Sequence, residues 1–93
     1  MQSSEDFFEK LRTTLIETTT FPTKYLFKFI VPASKEKEEQ IKDIFNLGGA
    51  VINTKESKTG KYKSVSILLN MPSADAIIKK YKEVGTIEGV IAL

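Results

Sequence analysis

The feature that most restricts the fold of this chain is a pattern that occurs twice along it. An apolar run leads to a proline, a serine, a charged segment with helical spacing and a glycine, and then to a second apolar run. The first copy reads YLFKFIV, Pro32, Ser34, KEKEEQIKDIFNL, Gly48 and AVINTKE, and the second reads KYKSVSILLN, Pro72, Ser73, ADAIIKKYKEV, Gly85 and TIEGVIAL. Aromatic and β-branched residues favour strands, and a serine hydroxyl is a preferred helix N-cap. Each copy therefore predicts a strand, a helix and a second strand.

The segment SKTG joins the two copies and places Gly60 where a short hairpin needs a positive φ. Gly48 is expected to end the first helix in a left-handed conformation. Two strand-helix-strand units joined by a hairpin give the order βαββαβ. This order predicts an α+β fold of the ferredoxin-like class, the split βαβ sandwich, with a four-stranded antiparallel sheet and both helices on one face.

A further helix is predicted ahead of the repeat. Phe7, Phe8, Leu11 and Leu15 recur at helical spacing between residues 4 and 17. The following TTTFP disfavours continuation, because it combines β-branched residues with a proline. The chain is thus expected to comprise an N-terminal helical extension, residues 1–20, and a ferredoxin-like domain, residues 21–93.

Composition removes most catalytic groups. The 93 residues include no histidine and no cysteine, which excludes disulfides, thiolate metal sites and imidazole bases. Carboxylates such as Glu36, Glu38, Glu39 and Asp43 fall on predicted helix surfaces, where they pair with lysines. We therefore expect no enzyme, no catalytic residue, no cofactor and no metal. The acidic, polar N-terminus and the lack of a long apolar run predict a cytoplasmic protein outside membranes.

Side-chain alternation assigns the faces of the sheet. On the first strand Phe27, Phe29 and Val31 share one face, and Lys28 shares the other with Leu26 and Ile30. Burying the lysine would be costly, so the aromatic face is expected to pack under the helices. On the third strand Val65, Ile67 and Leu69 are expected to point inward.

The remaining positions form the predicted partner surface on the open face of the sheet. Its members are Leu26, Lys28, Ile30, Tyr62, Ser64, Ser66 and Leu68. Several of them are apolar, so a cover is expected. The candidates are the N-terminal helix and a second subunit, and the chain is accordingly expected to be a monomer or a homodimer.

Nucleic-acid binding is the alternative function. RNA-recognition domains of this fold stack bases on aromatics of the central strands, at about 1–3 kcal/mol per base. Here only Tyr62 remains on the open face, with lysines at positions 28, 58, 61 and 63. A net charge of +2 does not favour a polyanion, so nucleic acid is an unlikely partner.

The chain from Phe21 onward resembles the YbeD-like family, small bacterial proteins of unassigned function with an ACT-like βαββαβ fold. The stretches that carry the resemblance are FPTKYLFK at Phe21–Lys28, SKTGKYKSVSI at Ser57–Ile67 and IEGV at Ile87–Val90. The N-terminal helix lies outside them. The resemblance implies a regulatory domain that binds without catalysing a reaction.

An ACT-like fold also implies an amino-acid ligand near the start of the first helix of the repeat. The corresponding turn here is Pro32, Ala33 and Ser34, where the helix N-terminus would attract a carboxylate. Such domains usually carry glycine at this turn, and proline removes a donor. The sequence thus predicts a non-catalytic regulatory or adaptor domain that binds a partner protein or a small metabolite.

Overall fold

The computed structural model describes residues 4–46 and 49–93, with the side chains described from residue 6. The elements in those residues are α1 (Ser4–Thr18), β1 (Thr23–Pro32), α2 (Lys35–Ile44), β2 (Val51–Glu56), β3 (Tyr62–Met71), α3 (Ala74–Val84) and β4 (Ile91–Ala92). The predicted α+β class, the βαββαβ order and the additional N-terminal helix are confirmed.

A four-stranded antiparallel sheet carries the fold, in the order β2-β3-β1-β4. The central strands β1 and β3 pair along their whole length, from Thr23 opposite Met71 to Pro32 opposite Tyr62. This long pairing places the positions of both strands in fixed register. The edge strands β2 and β4 are shorter.

The core lies between the sheet and helices α2 and α3. Phe27, Phe29 and Val31 of β1 have no exposed surface, and the ring centroids of Phe27 and Phe45 are 4.9 Å apart. Lys28 is exposed. The predicted assignment of the two faces is therefore confirmed, since aromatic burial outweighs any alternative that hides a lysine.

Local signals account for most element boundaries. The Ser34 hydroxyl accepts from the Lys37 N–H at 3.4 Å, and the Ser73 hydroxyl accepts from the Ala76 N–H at 3.1 Å. Gly60 has a φ of 73°, as its place in the hairpin requires. The prediction for Gly48 lies outside the described residues.

The last strand is shorter than the predicted TIEGVIAL segment. Residues 85–89 form turns, in which the Ile87 N–H donates to the Val84 carbonyl at 3.0 Å and Gly89 has a φ of 84°. Ile87 is buried in the core. The chain thus fills the end of the core before it reaches β4, which leaves only Ile91 and Ala92 to pair with β1.

Helix α1 packs against α3, on the helical side of the sheet. Leu15 is buried in the core cluster, and Arg12 Nε donates to Asp75 Oδ1 at 2.6 Å. The Lys82 ammonium lies 5.4 Å from the centre of the Phe8 ring. The predicted candidate in which α1 covers the open face is therefore wrong. Helix α1 instead packs its apolar stripe against α3, and its Arg12 pairs with Asp75 at the start of α3.

Candidate interaction surfaces

Aliphatic side chains form a continuous row across the open face, the surface of the sheet opposite α2 and α3. Leu26 of β1 lies opposite Leu68 of β3, which in turn lies opposite Val51 of β2. Leu26 is 49% exposed and Val51 is 54% exposed. Side chains directly opposite one another in antiparallel strands touch, so the row is one apolar patch.

A second row crosses the same face four residues further along β1, beyond the pair of Lys28 and Ser66. Ile91, Ile30, Ser64 and Lys55 follow one another across β4, β1, β3 and β2. Ile91 is exposed. Apolar side chains of the open face therefore occur on all four strands, in two rows separated by Lys28 and Ser66.

The charged side chains on the strand positions of this face, in the described part of the chain, are all lysines. They are Lys24, Lys28 and Lys55. Glu56 lies opposite Lys63 in the register and so points to the helical side. The open face is therefore apolar and cationic.

All members of the predicted partner surface come together on this face. Leu26 and Leu68, Lys28 and Ser66, and Ile30 and Ser64 are direct cross-strand neighbours, and Tyr62 lies beside the hairpin. The contributions of Val51 and Ile91 were not predicted. The alternation within VINTKE would have indicated Val51 once the register of the hairpin was known.

The predicted nucleic-acid cluster is only partly assembled, because Lys58 and Lys63 line a cavity with Tyr62 and Lys28 does not. Lys63 points to the helical side, where its ammonium donates to Glu38 Oε2 at 3.1 Å. Lys28 lies opposite Ser66, on the same face as Tyr62 but further along the strand. Phe27 and Phe29, the aromatics a base would stack on, are fully buried.

The predicted ligand turn at Pro32, Ala33 and Ser34 has already used its backbone donors. The Ala33 N–H donates to the Lys61 carbonyl at 2.8 Å, and the Ser34 N–H donates to the Pro32 carbonyl at 2.6 Å. The cavity beside the turn is lined by both signs of charge, and its Glu38 carboxylate is paired with Lys42 and Lys63. The turn is a capped helix start, and its role as a ligand site stays a prediction.

A further cavity, which the sequence did not indicate, lies between α1, α3 and the end of β4. It encloses about 340 Å³, and its lining residues are Phe7, Phe8, Leu11, Tyr25, Tyr81, Gly85, Ala92 and Leu93. The hydroxyls of Tyr25 and Tyr81 are 2.8 Å apart. Burial, together with this hydrogen bond, raises the pKa of Tyr81, so the phenol stays neutral at physiological pH.

The described residues contain no group of three or more His, Cys, Asp or Glu side chains that could hold a metal ion. No helix among them is both long enough and apolar enough to cross a bilayer.

Taken together, fold and surfaces define a small ferredoxin-like domain whose open sheet face is apolar and cationic. The chain belongs to the family described as protein of unknown function (DUF493), whose model matches residues 17–93. It is 31% identical over 81 residues to a UPF0250 protein of Erwinia tasmaniensis, and 30% identical over 81 residues to the UPF0250 protein YbeD of Escherichia coli. Each match covers 84% of this chain and 93% of the relative. The predicted resemblance to the YbeD-like family is confirmed.

Proposed function

We propose that this protein is a non-catalytic adaptor domain that binds a partner protein through its open sheet face. The observation that supports the proposal is the exposed row of Leu26, Leu68 and Val51 across the middle of the sheet. Apolar patches of this kind on a small protein mark interaction sites. Burying them stabilises a complex by about 25 cal/mol per Å² of apolar surface, before the losses of association are subtracted.

Charge indicates the chemistry of the partner. Lys24, Lys28 and Lys55 surround the aliphatic rows, and the strand positions of the face that the structure describes include no carboxylate. A second copy meeting this face would bring lysines towards lysines, which disfavours a homodimer of this geometry. The expected partner presents apolar side chains bordered by aspartate or glutamate.

The test is affinity capture with matched variants of the full chain. Leu26→Asp changes the centre of the open face, and Ile16→Asp changes a side chain of similar exposure, 54%, on α1. We expect the wild type and the Ile16→Asp chain to recover the same protein from a bacterial lysate, and the Leu26→Asp chain to lose it.

Salt and charge reversal complete the test. Lys28→Glu should weaken the captured complex, and the wild-type complex should weaken as ionic strength rises. Recovery of the same protein by the Leu26→Asp and Ile16→Asp chains alike would contradict the proposal. Circular dichroism of each variant checks that it has folded.

A further inference from the structure

One edge of the sheet is only partly paired. Strand β4 pairs with β1 at Phe29 and Ile30, and the Leu93 N–H donates to the Lys28 carbonyl at 2.9 Å. Towards its N-terminal end, β1 extends to Thr23, and on the side where β4 lies this part of β1 has no neighbour among the described residues. A stretch of β1 edge is therefore open beyond the end of β4.

The hydrogen-bond alternation of β1 shows which groups face this open edge. Ala33 donates to Lys61 of the hairpin, so the odd-numbered residues of β1 bond to β3 and the even-numbered ones face β4. The backbone N–H and C=O groups of Lys24 and Leu26 accordingly point outward. They have no hydrogen-bond partner among the described residues.

The 340 Å³ groove between α1 and α3 adjoins this edge, because Ala92, Leu93 and Tyr25 contribute to both. Its walls are the rings of Phe7, Phe8 and Tyr81. The mutual hydrogen bond of Tyr25 and Tyr81 uses one of their two hydroxyl protons. The other has no acceptor among the described residues.

We propose that this notch, the open β1 edge at Lys24 and Leu26 together with the groove between α1 and α3, binds an extended peptide segment of a partner protein. The segment continues the line of β4, antiparallel to β1. A peptide backbone supplies both donors and acceptors at the spacing of alternate residues, which a lipid or a small apolar ligand does not. The opposite edge, β2, also has no neighbouring strand in the described part of the chain, but lysine, glutamate and serine side chains predominate in the cavities beside it.

The register predicts the sequence that the notch selects. Segment residues opposite Tyr25 and Phe27 face the helical side, where the groove takes apolar side chains. The residue between them lies opposite Leu26, and its side chain points to the open face between Lys24 and Lys28. An acidic residue flanked by two large apolar residues therefore fits best.

The proposal is distinct from the open-face function, because the groove and the backbone groups lie at the edge and on the helical side of the sheet, and the side chains that the two share are Lys24 and Lys28. Its probe is the peptide GSLELSG, titrated into the ¹⁵N-labelled full chain. We expect saturable amide shifts at Lys24 and Leu26, and slower hydrogen exchange of the Leu26 amide.

Variants of the peptide test the strand geometry. The glutamate N–H points at β1, so its N-methylation should weaken binding at least about tenfold, which corresponds to about 1.4 kcal/mol. N-methylation of the second leucine, whose N–H points away from β1, should change affinity less than about twofold. The charge-reversed peptide GSLKLSG should bind more weakly.

Variants of the protein test the groove. Phe7→Glu places a charge in the groove at a side chain that is 58% exposed, and Ile16→Glu is the matched control on the same helix. Val51→Lys, on the far edge of the open face, should impair the proposed adaptor function and leave peptide binding intact.

Three results would overturn the proposal. The first is no saturable shift with GSLELSG, and the second is equal binding by the Phe7→Glu and Ile16→Glu chains. The third is a response centred on β2 or on the open face. If the amide shift of Leu26 changes when the chain is diluted without peptide, a second copy of the chain, rather than a peptide, occupies the notch.

Discussion

Among single residues, Glu38 pairs with lysines as predicted, but it does not lie on an exposed helix surface. It is buried on the side of α2 that faces the hairpin, with Lys63 at 3.1 Å and Lys42 at 3.6 Å. The hydrogen bond from Lys63 lowers the pKa of Glu38 below its ordinary value, against the opposing effect of burial. The ion pair connects α2 to β3.

Glu38 should make stability pH-dependent. Because its pKa is lower in the folded state, its contribution is present above about pH 4.5 and is lost as the pH falls through the lowered value. We expect Glu38→Gln to lower the free energy of unfolding by about 1 kcal/mol at neutral pH, and by much less in acid. Urea denaturation at several pH values measures this, with Glu39→Gln as the exposed control. If the difference in free energy of unfolding between wild type and Glu38→Gln did not change with pH, the assigned role of Glu38 would be contradicted.

Among the elements, α1 was predicted as a helix, but the element it packs against was not. The spacing of its apolar residues indicated the stripe, and only the structure shows that this stripe faces α3. The exposure of two consecutive side chains shows which side of α1 is packed. Leu15 is 7% exposed and Ile16 is 54% exposed.

Alanine substitutions should therefore have very different effects at these neighbouring positions. Leu15→Ala should lower the free energy of unfolding by about 2–3 kcal/mol, because it opens a cavity between α1 and α3. Ile16→Ala should change it by less than about 0.5 kcal/mol. Chemical denaturation followed by circular dichroism gives both values. Small, equal effects would mean that α1 does not dock on α3.

At the level of the whole molecule, the two faces of the sheet have separate chemistry. Aromatic and aliphatic side chains fill the helical side, and lysines border aliphatic rows on the open side. The rings that base stacking would require are inside the core.

We accordingly expect no saturable binding of single-stranded RNA. Fluorescence polarisation with a labelled oligouridine at low salt, where electrostatic binding is strongest, is the sensitive measurement. Tyr62→Ala should leave the signal unchanged. Saturable binding that falls with salt and with Tyr62→Ala would instead support the nucleic-acid alternative.

Much of the open face was predictable, and the notch was not. Strand alternation placed Leu26, Lys28 and Ile30 on the open face correctly, because parity depends only on neighbouring residues. The notch depends on the register of β4 against β1, which pairs Ile91 with Ile30 and leaves Lys24 and Leu26 without a neighbour on that side among the described residues. That register joins segments distant in the chain, and TIEGVIAL has no local signal for it.

The element order, the helix N-caps and the inward and outward sides of the central strands could all be predicted from the amino-acid sequence. These features follow from periodicity and from hydrogen bonds between residues a few positions apart. The docking of α1 on α3, the contact of Glu38 with Lys63 and the open edge of β1 beside an apolar groove became evident only in the folded chain. Those outcomes depend on contacts between segments distant in the chain, whose relative free energies no local pattern encodes.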